Sequence, residues 1–168
     1  MSRLDSFIRR LKAQRACLDL AARLVREVDG DVLELGLGNG RTYDHLRQLL
    51  PNRKIYVCER QVSPHPDCMP PTELLFLGDM RDTLRHARKL LASRVALAHL
   101  DPGTGDLEAS HALAAELAPL IVPLLQLGGI LVSEPAVSGD GLSLMARPTG
   151  VLPGRYHLYR RVNSQSST

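Results

Sequence analysis

The sequence predicts an α/β fold: a doubly wound, mostly parallel sheet of about seven strands, preceded by an N-terminal helix and closed by an antiparallel strand pair. Three observations predict it. Short apolar runs alternate with stretches of helical periodicity, the signature of a parallel sheet with crossover helices. The first apolar run ends in a glycine cluster, Gly36, Gly38 and Gly40. The last two extended runs flank Gly150, Pro153 and Gly154, which suits a hairpin-like return.

The elements follow in order. In residues 1–28, Leu4, Phe7, Ile8, Leu11, Leu18, Ala22 and Val25 recur at helical spacing. Ser2 with Asp5 three residues on suits an N-terminal cap, and Asp29-Gly30 stops the helix. Strand one is Asp31–Leu35, a helix runs Arg41–Leu50 before Pro51, and strand two is Lys54–Cys58. Residues 62–72 hold Pro64, Pro66, Pro70 and Pro71 and cannot form a regular helix. Strand three is Glu73–Leu77, a helix covers Met80–Ala92, and strand four is Val95–Leu100. Leu107–Leu125 reads as a long helix bent at its prolines, and Gly129–Ser133 as strand five. Leu142–Arg147 and Arg155–Val162 form the terminal pair.

A chain of 168 residues is one domain's worth. The expected boundaries are a single domain over 1–163, with the helix at 1–28 and the sheet within 31–162, then a polar, disordered tail at 164–168. The apolar stretch from Ala112 to Val132 is interrupted by Glu116, Pro119, Pro123 and Gly128-Gly129. It reads as a buried helix followed by a buried strand rather than a membrane span.

Composition narrows the function classes. Trp is absent and aromatic residues make up 4%, so stacking platforms for single-stranded nucleic acid are disfavoured. The net charge of +3 is mild, and no block of like charges marks a nucleic-acid footprint. Cys17, Cys58 and Cys68 are odd in number and lack a CxxC pair, which argues for reduced thiols in a cytoplasmic compartment. The N-terminus lacks the apolar run of a signal peptide. The histidines show no metal-ligand spacing, so no metal is expected.

The chemistry-bearing segment is Glu34-Leu-Gly36-Leu-Gly38-Asn39-Gly40, between a strand and a helix, where this fold places ligands. Glycine there lets the backbone turn tightly and approach a ligand closely. In the dinucleotide fingerprint the glycines follow G-x-G-x-x-G; here the third comes one residue early, and an acid stands two before the first. Other acids stand at strand ends: Glu59 after strand two, Asp79 after strand three, Asp101 after strand four and Glu134 after strand five. Each has a plainer reading. Glu59 and Asp79 suit turn or helix caps, Asp101-Pro102 suits a turn opener, and Glu134 suits a solvated loop carboxylate. His99 alternates with apolar residues in a buried strand and reads first as a core histidine.

Taken together, these strand ends resemble the class I S-adenosylmethionine-dependent methyltransferases, over about residues 31–162. Their first motif is acid-x-G-x-G-x-G at the end of strand one, matching Glu34, Gly36, Gly38 and Gly40. The resemblance implies a Rossmann-like fold and S-adenosylmethionine as cofactor, with S-adenosylhomocysteine as product. It implies that Glu59, with Arg60 beside it, meets the ribose hydroxyls. It places Gly78, Asp79 and Met80 at the adenine, Asp101 at the methionine amine, and Thr42 at the methionine carboxylate. Residues near the methyl are then Asp101, Glu134 and His99, the candidates for a catalytic base. The pattern also departs from that family. Asp101-Pro102 is followed by Gly103-Thr104-Gly105 instead of a proline and an aromatic ring, which disfavours a nucleobase acceptor and leaves a small molecule. The helices usual between strands two and three, and after strand five, have no sequence to form them. A bare sheet face beside strand five is therefore expected, covered by a homo-oligomer.

Two other classes compete. An NAD-binding oxidoreductase shares the glycine loop and downstream acid, but the glycine spacing opposes it and no Tyr-x-x-x-Lys or His-Asp pair is evident. A non-catalytic S-adenosylmethionine-binding module would keep the same pocket without turnover.

Overall fold

The computed structural model describes residues 2–102 and 106–164. The Gly103-Thr104-Gly105 sequence and nearly all of the expected tail lie outside the described residues. The elements are α1 (Arg3–Leu24), β1 (Asp31–Leu35), α2 (Arg41–Leu49), β2 (Ile55–Glu59), β3 (Leu75–Leu77), α3 (Met80–Leu91), β4 (Val95–Leu100), α4 (Leu107–Ile121), β5 (Leu125–Ser133), β6 (Leu142–Leu144) and β7 (His157–Arg161). The sheet order is β3-β2-β1-β4-β5-β7-β6. The first five strands run parallel, and β7 joins β5 and β6 antiparallel. This is the doubly wound, seven-stranded arrangement that the element alternation implies, and it puts every strand-to-helix loop of the parallel part at one edge.

Side chains alternate across each strand, so the sheet carries two cores. Val32, Val57, Leu97, Ile130, Val132 and Leu158 face α1 and α2. Leu33, Leu35, Cys58, Ala98, Leu100 and Leu131 face α3 and α4. All six residues of β4 are buried, as a central parallel strand requires. Each fully buried leucine or isoleucine contributes about 1.5–3 kcal/mol.

The helix ends follow local chemistry. Ser2 and Asp5 form a reciprocal capping box on α1: the Asp5 N–H donates to Ser2 Oγ at 3.0 Å, and the Ser2 N–H donates to Asp5 at 3.1 Å. Asp79 caps α3 and Asp106 caps α4. The proline-rich segment yields only short 3₁₀ turns, Pro66–Cys68 and Thr72–Leu74. The apolar stretch after Leu107 is long and apolar enough to cross a membrane by length and composition. It folds instead as α4, a 3₁₀ turn at Val122–Leu124 and β5.

Three expectations are corrected. The terminal helix stops at Leu24, and its first two turns do not bury the apolar positions expected of them: Leu4, Phe7 and Ile8 are exposed. The buried stripe starts at Ala13 because only the later turns reach the sheet. Strand five begins at Leu125 rather than Gly129, because an irregularity absorbs Gly128-Gly129: Val95 pairs with Leu125, yet Leu97 already pairs with Ile130. The face beside β5 is not bare. α1 packs over β5 and β7 on one side. On the other, segment 134–141 folds back, and the Val137 N–H donates to Tyr159 Oη at 3.0 Å in a buried contact. A loop covers the face that a homo-oligomer was expected to cover, so the bare face no longer argues for one.

Candidate active site

The site is built where β1, β2 and β4 end. A cavity of about 400 Å³ opens there. Its floor is the glycine loop, Gly36 to Asn39. One end is formed by Glu59, Gln61 and Ser63, and the other by Asp101 and Pro102. Thr42 and Met80 close the sides, while Arg10, Leu11 and Gln14 of α1 form a roof.

Two glycines make the floor possible. Gly36 has φ +97, and a Cβ there would lie 2.6 Å from the Asp101 carbonyl oxygen, so only glycine lets β1 turn against the end of β4. Gly38 has φ +49, and a Cβ there would meet nothing within 4 Å, so the missing side chain leaves the loop open to the cleft. Gly40 serves differently from its place in the motif: it packs against Pro64 and Cys68 and does not line the cavity.

Asp101 is held from three sides. Its Oδ2 accepts from Arg10 at 2.9 Å, from the Gln14 amide at 2.8 Å and from the Tyr156 hydroxyl at 2.9 Å. Gln14 also donates to Tyr156 at 2.7 Å. Burial, then the Asp101 charge, push the Tyr156 phenol well above its ordinary range, so it stays neutral and donating. The carboxylate is thereby fixed at the mouth of the cleft. Glu134 does not line the cavity but lies near enough to Asp101 to feel its charge, and its N–H donates to the Leu100 carbonyl at 3.1 Å. Burial, and next the Asp101 charge, raise the Glu134 carboxyl above 4.5; Arg10, His111 and Arg155 oppose this but do not overcome it.

Glu59 is already occupied. Its Oε2 accepts from the Leu37 and Gly38 N–H groups at 2.6 and 3.1 Å, and its Oε1 from Arg60 and Gln61 at 2.6 and 3.2 Å. A carboxylate has about four acceptor positions. The four backbone N–H groups fill these positions, so Glu59 ties the glycine loop to the end of β2, and any further donor to it must displace one of them. Arg60 contributes its backbone N–H here and does not line the cavity.

Glu34 and His99 turn inward. Both side chains are wholly buried, and His99 Nδ1 lies 3.0 Å from Glu34 Oε2. The other Glu34 oxygen takes the Thr42 hydroxyl. Burial alone would lower the His99 pKa, but the facing Glu34 charge and hydrogen bond win and hold it above 6.5. Neither residue lines the cavity: Glu34 holds Thr42 from within and His99 backs Glu34, where the resemblance implied a cofactor contact and a catalytic base. Gly78 donates its N–H to the Glu59 carbonyl, while Asp79 caps α3 and pairs with Arg81 at 3.2 Å. Of the expected adenine group, only Met80 lines the cavity.

Arg10, Gln14 and Tyr156 were missed by sequence reasoning. A signal existed for two of them: Arg10 and Gln14 are polar residues four apart, facing the same way on a helix whose later turns are buried. Their partner lies 91 and 87 residues away, which no local pattern reveals.

The cleft suits the cofactor implied by the resemblance. An open glycine floor with a carboxylate at each end, Glu59 and Asp101, suits a cationic ligand, and the cavity is of small-ligand size. Comparison with known proteins agrees. The family model for S-adenosyl-L-methionine methyltransferases matches residues 1–161. A crystal structure of an S-adenosyl-L-methionine methyl transferase from Silicibacter pomeroyi DSS-3 is 45% identical, with a TM-score of 0.92, covering 96% of this chain and 99% of that one. Human methyltransferase-like protein 13, solved with SAH, is 14% identical with a TM-score of 0.55, covering 93% and 82%. Cofactor-bound Rv0187 from MTB is 17% identical with a TM-score of 0.56, covering 87% and 80%. The last two share the fold. No curated protein matches the chain. The family match and the glycine spacing together decide against the NAD-dependent alternative, and this chain belongs to the S-adenosyl-L-methionine methyltransferase family.

Proposed function

We propose that the enzyme transfers the methyl group to a small-molecule acceptor held between Asp101 and Glu134, with Glu134 taking the acceptor's proton. The observation that carries this reading is the roof: Arg10 and Gln14 of α1 are tied to Asp101, so α1 lies across the Asp101 end of the cavity with polar side chains facing it. A side chain or base of a macromolecule would have to displace that helix to enter.

S-adenosylmethionine supplies an electrophilic methyl on a sulfonium that leaves as a neutral thioether, so no acid is needed for departure. The chain's own residues orient, exclude water and handle the acceptor's proton. Glu59 and the Leu37 and Gly38 N–H groups hold the ribose end; Met80 packs at the base. Asp101, oriented by Arg10, Gln14 and Tyr156, holds the ammonium. Glu134 is poised as a base because its partial burial raises its proton affinity above that of a solvated carboxylate. Three free cysteines, Cys17 and Cys58 buried and Cys68 partly so, support a reducing, cytoplasmic compartment.

The test is the fate of a labelled methyl. The enzyme is incubated with methyl-labelled S-adenosylmethionine and a desalted cell extract, which is then divided into low-mass, protein and nucleic-acid fractions. Label is expected in the low-mass fraction. Label recovered chiefly in protein or nucleic acid contradicts a small acceptor.

A further inference from the structure

We propose that the chain carries a second ligand site: a cationic pocket between α1 and the loop joining β6 to β7, which binds a small molecule through a doubly charged phosphate group. The pocket has a volume of about 290 Å³. Four cations line it, Arg9, Lys12 and Arg15 from α1 and Arg155 from the loop before β7, and among the described residues none of the lining carries a carboxylate. Such a concentration of like charge costs free energy unless an anion meets it.

The sharper observation is Arg9. Its Nε and NH2 atoms are buried and have no hydrogen-bond partner among the described residues. These two nitrogens form one edge of the guanidinium, the parallel pair of donors that matches two oxygens of a phosphate. Buried donors left unmade are rare and costly, so a turn of the side chain that brings this edge to an anion in the pocket is favourable. Asp5, one turn earlier, feels the Arg9 charge, but its carboxylate is bonded to Ser2. Arg155 donates to Ser6 Oγ at 3.4 Å and also acts electrostatically on Glu134.

Charge balance selects the ligand. One carboxylate would offset a quarter of the four charges, whereas a phosphomonoester dianion offsets half. Beyond Thr149 and Gly150 the remaining wall is apolar, Val151, Leu152, Ala13 and Ala16, so the ligand also has an organic body. The site is distinct from the donor cleft. Arg9 and Arg10 lie about 100° apart around the helix axis, so one points to this pocket while the other reaches Asp101.

Calorimetric titration of the full chain at fixed ionic strength tests this, with inorganic phosphate, phenyl phosphate and a short DNA duplex as probes. Wild type is expected to bind phenyl phosphate more tightly than inorganic phosphate. Arg9→Gln and Arg155→Gln should each weaken phenyl phosphate by about tenfold or more, whereas Arg23→Gln, an exposed cation outside the pocket, should not. Retained S-adenosylhomocysteine binding by Arg9→Gln shows that the fold and donor cleft persist. The proposal is overturned if wild type ignores both phosphates at millimolar concentration, or if both pocket variants bind as wild type does. Binding of the duplex but not phenyl phosphate, lost in the same variants, also overturns it.

Discussion

Glu34→Ala should destabilise the fold by about 3–5 kcal/mol, the usual result of removing one member of a buried charged pair. Glu34 and His99 are both wholly buried 3.0 Å apart, and Glu34 also takes the Thr42 hydroxyl. The substitution leaves a cavity, an unpaired imidazole and an unpaired hydroxyl in one stroke. The His99 Nε2 is already buried without a partner, so the ring cannot compensate from its far side. The pH dependence has a definite sign. His99 has a raised pKa in the folded state, so the pair's contribution is complete below 6.5 and is lost as pH rises through the folded value. Glu34→Gln keeps hydrogen-bonding capacity but removes the charge, so it should be less destabilising and should flatten that dependence. Urea unfolding of the three proteins, below pH 6.5 and in the alkaline range, checks both statements. A loss under about 1 kcal/mol for Glu34→Ala would show that the pair is not the anchor described here.

Glu134→Gln should lower kcat by about 10²–10⁴ while leaving S-adenosylmethionine affinity and acceptor KM near wild type, as expected for loss of a general base. The acid limb of the wild-type rate profile should lie above 4.5, because burial beside Asp101 raises this carboxyl. The same shift makes the ionised carboxylate a liability for folding: as pH climbs past 4.5, Glu134 costs stability until its folded pKa is passed. The glutamine variant should therefore be at least as stable as wild type at neutral pH. A variant with unchanged kcat and a raised KM would instead assign Glu134 to binding a cationic acceptor.

The parallel core was legible in the sequence because its signals are local. β1 and β4 have the ends that their apolar runs and flanking breakers imply, and both strand-end acids that line the cleft, Glu59 and Asp101, were found from their positions alone. Parallel strands must release their loops at one edge, so an acid at a strand's end lands at the cleft. What was not legible depended on distance. The expected role of Glu34 changed because its side chain meets His99, 65 residues on, inside the sheet. The apolar pattern of Leu4, Phe7 and Ile8 promised burial, yet those turns extend beyond the sheet and support the roof instead. Gly128-Gly129 looked like the start of a strand but sits within one, at an irregularity that only the register with β4 reveals. The loop over Tyr159 was invisible because it has no periodicity at all.

The central claim is that the donor lies on the glycine floor between Glu59 and Asp101. Calorimetric titration of S-adenosylhomocysteine into wild type and Glu59→Ala tests it most directly. Wild type should bind, and Glu59→Ala should weaken binding by about 1–3 kcal/mol, through loss of both the ribose contact and the grip on the Leu37 and Gly38 N–H groups. Equal affinities for the two proteins would contradict the account.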